Sequence, residues 1–208
     1  MTFPTFNKDD FDVFTIPGLE PRMEALIRLV RPKLTEIGDS LVPFLSAQCG
    51  QPMFPHVAKH ARRTINPPAD SWVAWSFNKK GYKAHPHFQV GLWSTHLFVQ
   101  FAVIYESDNK VAFADQLEKH LDEIRRDIPA HFRWSLDHMQ PQTTAHGDMS
   151  EDDFAVMIDK LKHVKKTEAL CGIRVGCDDE LLQRPRDFEN LIKVTFERVM
   201  PLYRLAIE

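Results

Sequence analysis

Three stretches near the middle of the chain carry most of its chemically useful side chains. They are KHARRTINPP (residues 59–68), KKGYK (79–83) and HPHFQ (85–89), with Trp72 and Trp75 between the first two. Guanidinium forks bind phosphate oxygens in pairs, lysines add point charge, and tryptophan or tyrosine can stack on a ring. Between residues 51 and 105 six bases (Lys59, Arg62, Arg63, Lys79, Lys80, Lys83) stand against the single acid Asp70, in a chain whose formal charge is −3. The rest of the molecule is therefore acidic, and this charge segregation points to an anionic partner. The leading expectation is a binding or regulatory domain for a phosphorylated small molecule or nucleic acid. Its candidate contacts are Lys59, Arg62, Arg63, Lys83, His85, His87 and Gln89.

Two other classes compete with this reading. In an enzyme acting on a small anionic substrate, His85 or His87 would be the general acid or base beside the charge-stabilising arginines. In an interaction protein, the basic strip would dock an acidic partner. The plainest alternative is structural: the bases neutralise acids of flanking helices, and Trp72, Trp75 and Phe88 are core residues of strands. Convergence of Arg62, His87 and Gln89 in one cleft would favour a ligand or an enzyme, whereas a convex strip would favour nucleic acid or protein.

Metal and cofactor signals are weak. His56 and His60 have the i, i+4 spacing of one helical turn, and His85 and His87 could point together from an extended segment. However, HxxxH lacks the glutamate of HExxH, and six fixed positive charges disfavour a dication, so no metal is expected. The three cysteines, Cys49, Cys171 and Cys177, form no CxxC pair. No GxSxG elbow, GxGxxG or GxxxxGK loop occurs, so a common nucleotide cofactor is not expected.

The elements that must position these residues follow from periodicity. Leu19, Met23, Leu26, Ile27 and Val30 form a helical stripe that Pro32 should end or kink, and Leu34 to Leu45 should form a separate bent helix. The period then changes. Residues 72–77, 88–93 and 97–105 read as strands, with 131–136 and 169–177 as a fourth and fifth. A two-residue Ser94-Thr95 turn sets Phe88, Val90 and Leu92 opposite Phe101, Val99 and Leu97, and places Gln89 opposite Gln100 on the other face. Ala114, Leu117, Leu121, Ile124 and Ile128 mark a helix stopped by Pro129, followed by a loop over 137–149. Ser150 with Asp153 forms a capping-box start for the next helix, and Phe188 to Val199 mark the last.

With 208 residues and 43% hydrophobic composition, the chain can bury a core of its own. The expected architecture is a single compact α+β domain over residues 1–208: a mainly antiparallel sheet of about five strands with helices packed on it. No apolar run approaches a membrane span and the N-terminus lacks a signal-peptide pattern, so a cytoplasmic protein is expected. Oligomeric state is not legible.

The central wording KHARRTINPP (59–68), DSWVAW (70–75), GYKAHPHFQVGLW (81–93) and HLFVQFAVIYE (96–106), with the opening FDVFTIPGLEPRMEALI (11–27), resembles the YktB-like family of uncharacterised proteins. The resemblance spans nearly the whole chain. It implies a single compact α+β domain in a bacterial cytoplasmic setting, and it supplies no activity, cofactor or catalytic residue.

Overall fold

In the computed structural model, which describes residues 2–207, seven strands form one sheet in the order β1-β2-β3-β4-β7-β5-β6, every neighbouring pair antiparallel. The strands are β1 (Phe54–Val57), β2 (Asp70–Ser76), β3 (His87–Trp93), β4 (His96–Val103), β5 (Arg133–Ser135), β6 (Thr144–Ala145) and β7 (Ala169–Gly176). The α+β class is as expected, with two strands more than the sequence suggests. Both additions are short: β1 holds Pro55 at the sheet's edge, where a missing N–H is tolerated, and β6 has two residues. Neither has room for the alternation that marks a strand.

The central hairpin has the expected register. Phe88 pairs with Phe101, Val90 with Val99, Leu92 with Leu97, and Gln89 with Gln100. A slip of one residue would carry the three apolar side chains of one strand off the core face shared with the other three, which is why pattern alone determines the pairing. That face is covered by helices. The Phe88 ring lies 5.1 Å from Phe196 and 5.0 Å from Tyr203 of α7 (Pro185–Ile207), and Phe101 lies 5.8 Å from Phe113 of α4 (Lys110–Lys119).

Pro32 neither ends the first long helix nor separates it from the next. Before it, α1 (Lys8–Asp12) leads to α2 (Leu19–Ala25), which passes through a π turn, Leu26–Val30, directly into α3 (Arg31–Cys49). In that turn the Arg31 N–H donates to the Leu26 carbonyl five residues back, so the chain resets just before Pro32 reaches the first turn of α3, where a missing N–H costs little. Gly38 then lets α3 press on the sheet: a Cβ there would lie 3.1 Å from both Pro55 and Val73. The Trp75 indole N–H donates to the Gly38 carbonyl at 2.8 Å. The helix expected through Ile128 divides at His120 into α4 and α5 (Leu121–Asp127). Ser150 and Asp153 form the anticipated capping box of α6 (Glu151–His163). No helix among the described residues is long and apolar enough to cross a membrane.

Candidate functional site

The helices cover one face of the sheet, and strand alternation puts the polar residues on the other. In register across that second face lie Asp70 and Trp72 of β2, His87, Gln89 and Gly91 of β3, His96, Phe98 and Gln100 of β4, and Leu170, Gly172 and Arg174 of β7. Gly91 is required there: a Cβ would fall 2.4 Å from Phe98 Cζ and 2.6 Å from the Ser71 carbonyl and Trp72 Cβ. Bare backbone at this point lets the two aromatics close over β3. Segments 58–69, 77–86 and 136–143 add side chains above the face.

A cavity of about 380 Å³ lies between this face and those segments, within the size range of small-ligand sites. Lys59, Arg62 and Lys83 stand on its lining with His60, and Trp72, Tyr82, Gln89 and His138 form much of the rest. Lys83 donates to Glu106 at 2.9 Å. Among the described residues no carboxylate is in ion-pair contact with Lys59, Arg62 or Arg63, although Glu106, also on the lining, feels the charge of Arg62 and Asp70 that of Arg63. The segment that carries them is tied at both ends from α2 and α3. Arg31 donates to the Lys59 carbonyl at 3.2 Å and Arg22 to the Pro68 carbonyl at 2.8 Å.

The other candidates lie elsewhere. Arg63 donates to the Asn66 carbonyl at 3.3 Å, within its own segment, and is not on the cavity lining. His85 lies against Phe77, with ring centroids 4.6 Å apart, accepts from the Asn78 amide at 2.9 Å, and opens on a neighbouring surface hollow. His87 is 0% exposed, and both ring nitrogens are used: Nδ1–H donates to the His85 carbonyl at 2.8 Å and Nε2 accepts from the Gln89 amide, also at 2.8 Å. Gln89 Oε1 accepts from the Gln100 amide at 2.9 Å, completing a satisfied chain that fixes Gln89 on the cavity floor. Burial pushes His87 down to about 4, so it is neutral. His87 is therefore a support for Gln89 and has no nitrogen free for a ligand. His56 and His60 do not share a helical turn either: His56 is in β1, and His60 follows in a loop at φ 52°.

A histidine outside the basic segment has, among the described residues, the free nitrogen that His87 lacks. His138 Nδ1 lies 2.7 and 2.9 Å from the two Glu168 oxygens, while Glu168, only 1% exposed, also accepts from the backbone N–H groups of His138 and Tyr105 at 2.7 and 3.2 Å. The His138 ring stands 6.4 Å from Trp72, on the wall of the cavity. Burial works against its charged form, yet the hydrogen bond and charge of Glu168, aided by Asp70 and Asp137, prevail and raise its pKa. Asp137, His138 and Glu168 bring three ligand atoms within 4.8 Å of one another, but Glu168 already anchors the imidazole and two backbone amides.

Residues 6–203 match the family described as Domain of unknown function (DUF1054). The chain belongs to this family. A UPF0637 protein of Bacillus velezensis is 49% identical over 206 residues, covering 99% of this chain and 98% of the relative. One from Bacillus licheniformis is 50% identical over 201 residues (97% and 95%), and one from Bacillus cereus 44% identical over 206 (99% of each).

The family description assigns no activity, so the chemistry of this DUF1054 chain has to come from its residues. Of the residues singled out from the sequence as ligand contacts, Lys59, Arg62, Lys83 and Gln89 lie on the cavity lining, while Asp70, His138 and Glu168, which lie on or behind the polar face, are not among them. His138 and Glu168 lie thirty residues apart. Pairing of Ser135 with Leu170 between β5 and β7 brings them together, and no local motif announces it. Asp70 was visible only as the lone acid of a basic segment.

Proposed function

We propose that this DUF1054 chain binds a small phosphate-bearing ligand on the polar face of its sheet. The observation that carries the reading is the cavity of about 380 Å³ whose lining holds Lys59 and Arg62, neither paired with a carboxylate among the described residues. Lys59, Arg62 and Lys83 supply charge and guanidinium hydrogen bonds to phosphate oxygens. Trp72, whose indole N–H donates to Tyr82 Oη at 3.0 Å, forms with Tyr82 an aromatic wall for the rest of the ligand. Gln89, held by His87 and Gln100, offers a fixed amide on the floor. A concave site of this size favours a small molecule over a nucleic-acid strand, which would track an open groove.

The test is a thermal-shift and calorimetric screen of inorganic phosphate, nucleotides and an oligonucleotide at two salt concentrations. It uses the wild type, a Lys59→Ala/Arg62→Ala double variant and Arg63→Ala. Lys59 and Arg62 are exposed, so the double variant should fold normally, with binding lost. Arg63→Ala should bind as the wild type does. Oligonucleotide binding that weakens steeply with salt would favour the nucleic-acid alternative. Loss of stability without any change in binding would reduce the basic segment to a structural role.

A further inference from the structure

Beside the large cavity is a second hollow of about 20 Å³, room for about one water molecule. Asp70, His96, Gln100, His138 and Arg174 are on its lining. One of these groups lacks a partner among the described residues, and a second has acceptor capacity to spare. His96 is 8% exposed; its Nδ1 is hydrogen-bonded to Thr95 Oγ1 at 2.8 Å, while Nε2 is buried without a partner. The Asp70 side chain, in a residue 5% exposed, accepts from its own backbone N–H and from no other group among the described residues. Buried polar groups are almost always satisfied, so a hollow lined by an unpartnered imidazole nitrogen and a carboxylate with a single backbone donor suits a small polar guest. Trp72, Gln89 and His138 line both spaces, which places that guest next to whatever fills the larger cavity.

We propose that this site hydrolyses a phosphodiester, with Asp70 as general base toward a water seated in the hollow and His138 as general acid toward the leaving oxygen. This rests on the phosphate-binding reading above. As the water oxygen bonds to phosphorus, its proton passes to the Asp70 carboxylate. The ester P–O bond breaks, its electron pair stays on the leaving oxygen, and that oxygen takes the His138 Nε2 proton. Solvent returns a proton from Asp70 to His138, so one water is consumed and a phosphomonoester and an alcohol are released. Lys59 and Arg62 hold the non-bridging oxygens, where charge builds up. Glu168 is a positioning residue: by accepting from Nδ1 it turns Nε2 away from itself and favours the imidazolium.

The surroundings suit both roles. Burial pushes Asp70 up to about 6, with His138 and Arg63 pulling the other way, so it is ionised at neutral pH. Glu168, Asp70 and Asp137 together keep His138 protonated to higher pH than a free imidazole, so base and acid coexist in the required forms. A diester also meets Asp70 with one negative charge, where a monoester would bring two.

The experiment compares bis(p-nitrophenyl) phosphate with a dinucleoside monophosphate, the latter followed by phosphorus NMR. Wild type should hydrolyse both. Asp70→Asn should lower kcat on both substrates by roughly 10²–10⁴-fold. His138→Gln should cause a comparable loss only on the dinucleoside monophosphate, because nitrophenolate leaves without a proton and an alkoxide does not. A merely structural role for His138 would depress both substrates equally. Inorganic phosphate binding, measured on the same samples, shows that each variant retains its site. Wild type that binds phosphate but turns over neither diester overturns hydrolysis and leaves the binding reading standing; failure to bind any phosphorylated compound overturns both. Turnover unaffected by either substitution, as from a contaminant, also overturns it.

Discussion

Replacing Glu168 by Gln should destabilise the protein more in mild acid than in mild base. Three donors converge on this buried carboxylate: the His138 imidazole at 2.7 Å and the backbone N–H groups of His138 and Tyr105 at 2.7 and 3.2 Å. A glutamine has one acceptor oxygen in place of two and carries no charge. Above the raised pKa of His138, where the ring is neutral, the loss is about one ordinary hydrogen bond, on the order of 1 kcal/mol. In mild acid the imidazolium also loses its anion, and charge-assisted hydrogen bonds contribute about 1.5–3 kcal/mol, of which partial exposure of His138 leaves the lower part. The sign follows from linkage. The folded protein raises the His138 pKa above its unfolded value, so this stabilisation is fully present below about 6.5 and disappears as pH rises through the higher folded value. At about 2–4 °C of Tm per kcal/mol for a chain of this size, Glu168→Gln should lower Tm by roughly 5–10 °C near pH 5.5 and by about half as much or less near pH 8.5. Differential scanning calorimetry of both proteins across that range decides it. An equal loss at both ends would mean that the carboxylate serves only the backbone amides, and the charged pairing assigned here would be wrong.

Two further outcomes test the architecture. Gly172→Ala should cost at least the roughly 1–3 kcal/mol of an overpacked core, because the added Cβ would fall 2.0 Å from the Val99 carbonyl and 2.5 Å from Gln100 Cα, both backbone atoms that cannot turn aside; urea unfolding at an unchanged midpoint would refute the β4–β7 pairing. His87, depressed to about 4, should remain neutral in the folded protein at pH 5 while the unfolded chain takes up its proton, so stability falls with pH between about 6.5 and 4, by about 2 kcal/mol at pH 5 for this residue alone. NMR titration of the His87 ring checks this directly, and protonation above pH 6 would contradict the closed chain through Gln89 and Gln100.

Local pattern was enough for the helix-facing half of the sheet. Phe88, Val90 and Leu92 against Phe101, Val99 and Leu97 form an apolar face in one register only, and burial enforces it wherever the chain collapses. The Ser150–Asp153 cap was equally legible because both partners lie within one turn. The basic residues were visible as a composition, and Lys59, Arg62, Lys83 and Gln89 do line one cavity. What the sequence left open was which neighbours face it. Trp72 borders the cavity and Trp75 is buried in the core, because an odd separation along a strand puts them on opposite faces. His87 and His138 are alike as sequence, yet hydrogen bonds close the first on both nitrogens while Glu168 engages only Nδ1 of the second. That difference arises from contacts between strands and loops far apart in the chain. Hydrophobic periodicity reports the face an element buries; the partners of a polar side chain on the other face depend on long-range strand order, which here sets β7 beside β5 and so Glu168 beneath His138.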